Sequence, residues 1–309
     1  MWVNVTCPRD FGIRDNIVKG LLILGCGYSG LRVAAEATDA GIPVWGTTRT
    51  TERFSAIEQT GATPLLFGES HSSIPDEIWD RVDTVVHSIG PSWATGHDIT
   101  PMIQEMLEGK RLERLVYVSS TSIYGNHDGA WVTEDTVCKP GAPAGIRRLR
   151  IENELVNWAE RQSFSLIRAR VSGIYGSGRS VLHRISGGRY KRISELNGYS
   201  NRIHVSDLGR CLFALCMRGE DGIYNLSDGS PEYQDTVSDY AFSLLTDCEI
   251  KRLTLEEAER TLKPSHLAMI RESKRMSNEK IRLLLGESFQ FPSYLEGLKA
   301  VANEDFPNG

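Results

Sequence analysis

Residues 21–34 read LLILGCGYSGLRVA. An apolar run of strand character leads directly into Gly25, Gly27 and Gly30 in the spacing G-x-G-x-x-G, and an amphipathic stretch follows at once. Each glycine has a physical task in such a unit. Gly25 permits the tight turn from strand to helix, Gly27 leaves the backbone open to a pyrophosphate, and Gly30 lets helix and strand pack closely. The helix entrance, with Tyr28 and Ser29, offers free N–H groups and the positive end of the helix dipole to phosphate. A strand before the glycines and a helix after them is the context this pattern requires, so the segment predicts dinucleotide binding.

The sequence around this unit alternates in the same way. PVWGTT, ATPLLF, DTVVHSIG, RLVYVSS and SLIRARV are short apolar runs separated by helical stretches. Continuous Val/Ile/Leu runs mean strands buried on both faces, as in a parallel sheet covered by helices. The expected architecture is α/β: a Rossmann-type doubly wound parallel sheet over residues 19–175. A smaller, irregular C-terminal substrate lobe over 176–309 has segments that interleave with the sheet. Residues 1–18 read as an extension outside the fold.

Composition sets the exclusions. The formal net charge is −5, with 40% hydrophobic and 24% charged residues. That balance argues against a general nucleic-acid binder. The six cysteines, Cys7, Cys26, Cys138, Cys211, Cys216 and Cys248, form no CxxC pair and no zinc spacing, and read as free thiols of a reducing compartment. No apolar run reaches the roughly 20 residues of a membrane span. The N-terminus lacks the apolar core of a signal peptide, which leaves the sequon at Asn4 without meaning. The expected setting is cytoplasmic, the expected partner a small-molecule substrate, and no metal is expected.

The end of the second strand bears on the cofactor. NAD sites place an Asp or Glu there, about 20 residues beyond the glycines, on the ribose 2′-hydroxyl. Here the chain runs Gly46-Thr47-Thr48-Arg49-Thr50, with no carboxylate. A hydroxyl at Thr48 and a guanidinium at Arg49 suit a 2′-phosphate, which favours NADP over NAD. The central strand ends in VYVSSTSIYG, where Ser119, Ser120, Thr121 and Ser122 follow one another at the strand's carboxyl edge. Such a cluster either hydrogen-bonds a substrate oxygen or caps the next turn.

The motifs GCGYSG, VVHSIGP, VYVSSTSIYG, RVSGIYGSGR, RIHVSDLGR and GIYNLSDGSP, in this order, resemble the extended and atypical short-chain dehydrogenase/reductases. The resemblance covers residues 20–300, and that superfamily includes NAD(P)-dependent sugar-nucleotide epimerases and dehydratases. GTTR, STSIYGNHDGAWVTED and SKRMSNEKIRLLLG resemble its YeeZ-like subgroup. The resemblance implies that Ser120 is the catalytic hydroxyl that holds the substrate oxygen. It also implies that Ser88 and Gly90 pass the cofactor ribose and pyrophosphate, and that Val171, Ser172 and Gly173 lie beside the nicotinamide. His204 and Asp207 then sit at the junction with the lobe, in structural roles, with Asp207 capping a helix. Relatives that pair through helices flanking the active site imply a homodimer.

One element of that family pattern is missing. Its Tyr-x-x-x-Lys pair, with a glutamate four residues later, has no counterpart in PAGIRRLRIENEL (143–155). Registered on Glu152, the lysine place holds Arg148 and the tyrosine place Ala144; registered on Glu154, they hold Arg150 and Ile146. Arg148 suits ribose hydroxyls and phosphate but cannot relay protons near neutrality. Tyr124, Tyr175 and His127 are the nearest candidates for a replacement proton donor. A Tyr-Gly motif such as holds Tyr124 and Tyr175 usually serves packing, and His127 in GNHDG reads as a loop residue. The i,i+4 spacing predicts ion pairs Arg148–Glu152 and Arg150–Glu154 on the helix face. Two functions stay open: an NADP-dependent oxidoreductase or epimerase/dehydratase with altered acid/base groups, and a non-catalytic NADP-binding sensor.

Overall fold

The computed structural model describes residues 18–68, 73–91 and 97–307. The expected N-terminal extension, apart from Val18, lies outside them, as does Cys7.

Seven parallel strands form the central sheet: β1 (Leu21–Leu24), β2 (Val44–Thr48), β3 (Thr63–Leu66), β4 (Thr84–His87), β5 (Arg114–Ser120), β6 (Ser165–Val171) and β7 (Gly222–Leu226). Their order is β7-β6-β5-β4-β1-β2-β3. The chain winds outward from β1 in one direction, then returns to β4 and winds the other way. The switch therefore lies between β1 and β4, where a cleft opens at the strands' carboxyl ends. Register brings the ends together: Leu24 pairs with His87, His87 with Tyr117, and Ser120 with Val171. The glycine loop after β1, Ser88 after β4, Ser120 at the end of β5 and Ser172 after β6 thus leave the sheet along one edge.

The apolar runs are continuous because both faces are covered. On one face α1 (Gly30–Asp39) and α7 (Val205–Arg218) bury Val33, Ala37, Leu208 and Leu212 against Ile23, Val86 and Val116. On the other, α4 (Thr100–Leu107) and α5 (Pro143–Ala159) bury Ile103, Leu107, Ile151, Leu155 and Trp158 against Leu22, Leu24, Val85 and Leu115. The short helices α2 (Phe54–Glu58) and α3 (Asp76–Trp79) complete the crossovers of this half.

The lobe begins with α6 (Val181–Ser186) and continues, after α7 and β7, through α8 (Gln234–Ser243), α9 (Leu255–Thr261), α10 (Pro264–Ile270), α11 (Glu279–Leu285) and α12 (Tyr294–Asp305). It has its own core of Leu182, Tyr190, Val237, Tyr294 and Leu298. β7 and α7 lie beyond residue 175 yet build the sheet and its helical layer. Helices α9 and α10 occupy the charged stretch between α8 and α11. Asp207 does not cap its own helix: the N-cap of α7 is His204, whose Nδ1 accepts from Ser206 N at 3.3 Å. Asp207 instead accepts from the backbone N–H groups of Gln290 and Phe291, each at 2.8 Å, and so ties a lobe loop to α7. No helix among the described residues is long and apolar enough to cross a membrane. The described cysteines are free thiols. No cluster of metal-ligating side chains occurs among the described residues.

Candidate active site

A cleft of about 570 Å³ runs along the carboxyl edge of the sheet from the glycine loop to the lobe. At its floor, Gly25 has φ +86°, and a β-carbon there would lie 2.6 Å from Ile89 Cγ1. At Gly30 a β-carbon would lie 2.9 Å from the Gly25 carbonyl oxygen and 3.1 Å from Ile23 Cγ2. Gly27 differs from both, since nothing lies within 4 Å of a β-carbon built on it. Its bare face is turned to the cleft, with the start of α1 behind it. Ser29 stands at the N-cap of α1 but its side chain makes no capping bond. The loop is held from β2, where Thr47 Oγ1 accepts from Gly25 N at 2.9 Å and the Thr47 carbonyl accepts from Cys26 N at 2.7 Å. This open, donor-rich cradle fits a pyrophosphate.

The expected cofactor residues fall into three groups. Gly25, Gly27, Tyr28, Ser29, Gly30, Ser88, Arg148, Val171 and Ser172 line the cleft together. Within this group Ser88 has a structural bond as well, because its hydroxyl donates to the Gly25 carbonyl at 2.6 Å and stitches β4 to β1. Gly90 backs Arg148, and Thr48 with Arg49 ends β2 outside the cleft lining. Arg49 is exposed, its stem against Gly68, and no hydrogen bond or ion pair holds its guanidinium among the described residues. Arg53, exposed on the next turn, was not singled out by the sequence pattern. Its charge reaches the glycine loop: burial pushes the Cys26 thiol up to about 12, and Arg53 opposes that shift.

Ser120 ends β5 half-buried in the cleft wall. Its Oγ accepts from Ser122 N at 3.2 Å and caps the short turn Thr121–Tyr124. The two readings of the serine cluster therefore coexist. A hydroxyl has one donor and two acceptor positions, and the cap uses an acceptor, which leaves the O–H free for a ligand oxygen. Nearby, the Oγ atoms of Ser119 and Ser172 are buried without a partner.

The same capped turn corrects the reading of Tyr124. It rotates the ring into the core beside Ile123, Val132 and Met276, with no exposure. The hydroxyl donates to Asn225 Oδ1 at 2.8 Å, and burial pushes its pKa up to about 12. Tyr124 does not line the cleft and has no route to a substrate there. Tyr175 packs in the lobe core with its hydroxyl toward the Ser293 carbonyl at 3.4 Å, and His127 Nε2 lies 3.0 Å from the Tyr124 carbonyl oxygen. Neither lines the cleft.

On α5, Arg148 enters the cleft and donates to the Val118 carbonyl at 2.8 Å and to Tyr117 Oη at 3.3 Å. Arg150 stays outside and pairs with Glu154 at 3.4 Å, as its spacing predicts. The other predicted pair does not form. Glu152 is buried and takes Arg170 of β6 in a two-pronged bond, closest at 2.8 Å. A carboxylate turned into the core needs a partner there, and Arg148 is already directed to the strand edge. Only the register on Glu152 thus carries an arginine into the cleft. Ala144 takes the tyrosine place in that register.

The lobe supplies the opposite wall, which the sequence pattern left unread. Lys274 and Glu272, both nearly buried, form a 2.7 Å ion pair, and Lys274 Nζ also donates to the Gly125 carbonyl at 2.9 Å. Tyr199, Asn201 and Gln234 extend this polar wall.

A model of the NAD dependent epimerase/dehydratase family matches residues 21–227 of the 309. The chain belongs to this family. Protein YeeZ of Escherichia coli (strain K12) is 24% identical over 222 residues, which span 68% of this chain and 77% of YeeZ. A functionally unknown conserved protein from Silicibacter pomeroyi DSS is 29% identical and superimposes with a TM-score of 0.80 over 92% of this chain and 98% of its own. The dTDP-glucose 4,6-dehydratase of Bacillus anthracis str. Ames, solved in complex with NAD, is 14% identical and shares the fold with a TM-score of 0.76, over 94% of this chain and 97% of its own. The family is one of NAD(P)-dependent enzymes, and a nicotinamide dinucleotide is the cofactor that the glycine cradle fits.

Proposed function

We propose that this chain is an NADP-linked enzyme of the short-chain dehydrogenase/reductase type, acting on a small carbonyl or sugar-nucleotide-like substrate in the cleft between sheet and lobe. The observation that carries this reading is the continuous wall from the bare backbone face at Gly27 to the free O–H of Ser120. The glycine cradle holds the pyrophosphate, and Arg49, joined by Arg53, supplies guanidinium groups for the 2′-phosphate. Arg148 holds ribose hydroxyls where the family has lysine. When bound, the nicotinamide supplies hydride chemistry. Ser120 holds the substrate oxygen with a hydrogen bond from its hydroxyl, and the Glu272–Lys274 wall positions the rest of the substrate. The B. anthracis dehydratase, which acts on a sugar nucleotide, supports that substrate class.

The alanine at position 144 and the burial of Tyr124 favour a second reading, a non-catalytic NADP sensor. Two measurements separate the readings. Fluorescence titration with NADPH and NADH is expected to show tighter NADPH binding. A screen of NADPH oxidation over carbonyl compounds and sugar nucleotides, with product analysis for redox-neutral turnover, is expected to find a substrate whose conversion drops in Ser120→Ala. Tight NADPH binding with no conversion across the screen would sink the enzyme reading and leave the sensor.

A further inference from the structure

The segment that follows Tyr175 makes a short turn at the rim of the cleft, and more bonds hold it than a surface turn requires. Gly176 and Arg179 exchange backbone hydrogen bonds, N–H to carbonyl, at 2.9 and 3.0 Å. Between them, the Ser177 carbonyl accepts from Tyr28 Oη of the glycine loop at 3.0 Å. Ser177 Oγ donates to Asp305 Oδ1 at 2.6 Å, and Gly178 N donates to Asp305 Oδ2 at 3.0 Å. Asp305, at the end of α12, is itself held by His183 Nε2 at 3.1 Å, and the other ring nitrogen of His183 lies 2.8 Å from Ser180 Oγ. A turn from the lobe is thereby fastened both to the glycine loop and to the C-terminal helix.

What this turn presents is Arg179. The side chain is exposed, lines the cleft, and lies with Cζ 5.5 Å from the centre of the Tyr28 ring. Tyr28 is one of the two residues between the second and third glycines of the loop. Some arginines of the lobe have carboxylates: Arg192 has Asp235 and Asp239, and Arg210 has Asp207 and Glu287. The Arg179 guanidinium makes no hydrogen bond and no ion pair among the described residues; it lies instead over the aromatic face of Tyr28. That face aims a guanidinium without using any of its five N–H donors. The result is a preoriented cation over a phosphate cradle.

We propose that Arg179 is a clamp on the pyrophosphate of the dinucleotide, closing from the lobe over the glycine loop, with Asp305 as its positioning residue. The inference rests on the cofactor reading above and extends it, since the cofactor is then gripped by lobe and sheet together. Arg179 gives charge-assisted N–H bonds to the diphosphate, and Tyr28 serves as its platform.

The test uses the full chain and two ligands, NADPH and adenosine 2′-phosphate, which lacks the pyrophosphate. In Arg179→Ala the Kd for NADPH is expected to rise about tenfold, as for loss of a charge-assisted contact. Its dependence on salt concentration should become shallower, while adenosine 2′-phosphate binds as in the wild type. Arg179→Lys should keep the salt dependence, and Asp305→Asn should weaken NADPH less than Arg179→Ala. Wild-type NADPH affinity in Arg179→Ala overturns the clamp and leaves the cofactor reading standing. An effect confined to the KM of a phosphorylated substrate, with unchanged binary NADPH binding, overturns it in favour of a substrate phosphate. A wild-type protein that binds neither NADPH nor NADH overturns both readings.

Discussion

Gly90 and Arg148 compete for one space: a β-carbon on Gly90 would lie 2.4 Å from Arg148 Nη2. The loop after β4 can pass the arginine only because it carries no side chain there. The contact is with the far end of a flexible side chain, so Gly90→Ala should cost little stability. It should instead push the guanidinium off the Val118 carbonyl. The expected result is a several-fold to about tenfold weaker NADPH affinity in Gly90→Ala and in Arg148→Ala. The double variant should be no worse than Arg148→Ala alone, because both changes remove one interaction. Additive losses in fluorescence titration would show that Gly90 acts independently.

The glycine loop permits a cleaner separation. Gly27→Ala places a methyl group in open space, so its unfolding free energy in urea should stay within about 0.5 kcal/mol of the wild type. The same methyl group stands where the pyrophosphate approaches, and NADPH affinity should fall at least about tenfold. Gly25→Ala should show the reverse balance. Its φ of +86° and the contact with Ile89 predict a stability loss of roughly 1–2 kcal/mol before any ligand is added.

Arg49 and Arg53 predict the cofactor preference. If their charges serve a 2′-phosphate, then Arg49→Ala with Arg53→Ala should weaken NADPH by about tenfold or more and leave NADH nearly unchanged. Parallel titrations with the two dinucleotides measure this ratio directly. An equal loss for both would mean that the arginines serve a part shared by the two cofactors.

On α5 two glutamates two residues apart should behave very differently. Glu152 is buried against Arg170, whereas Glu154 shares an exposed pair with Arg150. Removing one partner of a buried pair leaves an uncompensated charge, so Glu152→Ala should cost about 3–5 kcal/mol in urea unfolding. Glu154→Ala should cost no more than about 0.5 kcal/mol.

That contrast marks where the sequence stopped being legible. The strands and the glycine loop could be read because each depends on local pattern: apolar runs, glycine spacing, a strand leading into a helix. Helical spacing placed Arg148 and Glu152 on one face, but it could not reveal that the neighbouring strand brings Arg170 to the same carboxylate. Tyr124 was misjudged for a related reason. Its position after the serines pointed to the cleft, but the capped turn at Ser120 rotates it inward. Thr47, Arg179 and Lys274 stand inside GTTR, RVSGIYGSGR and SKRMSNEKIRLLLG, but no local pattern tells what they face. Only the packing of distant segments brings them, with Arg53 and Glu272, to the site.

The acid limb of the stability curve provides the last test, through His87. The residue is wholly buried beneath the cleft, with Nε2 3.2 Å from Thr100 Oγ1. Burial first, and then the charge of Arg148, push its pKa down to about 3, while Asp98 opposes the shift. In the unfolded chain a histidine binds its proton near pH 6.5. Between that pH and about 3 the unfolded state therefore holds one proton more than the folded state, and stability falls as the pH is lowered. The slope from this one group approaches about 1.4 kcal/mol per pH unit. His204, pushed down to about 4, acts in the same direction, and Asp228, pushed up to about 7 by burial, acts in the opposite one. Both groups are unchanged in His87→Asn, so their contributions cancel in a comparison with the wild type. Urea unfolding at intervals from pH 7 to pH 4 should show a shallower acid limb for the variant, whatever its stability at neutral pH. Superimposable slopes would mean that His87 is not held neutral in the folded protein.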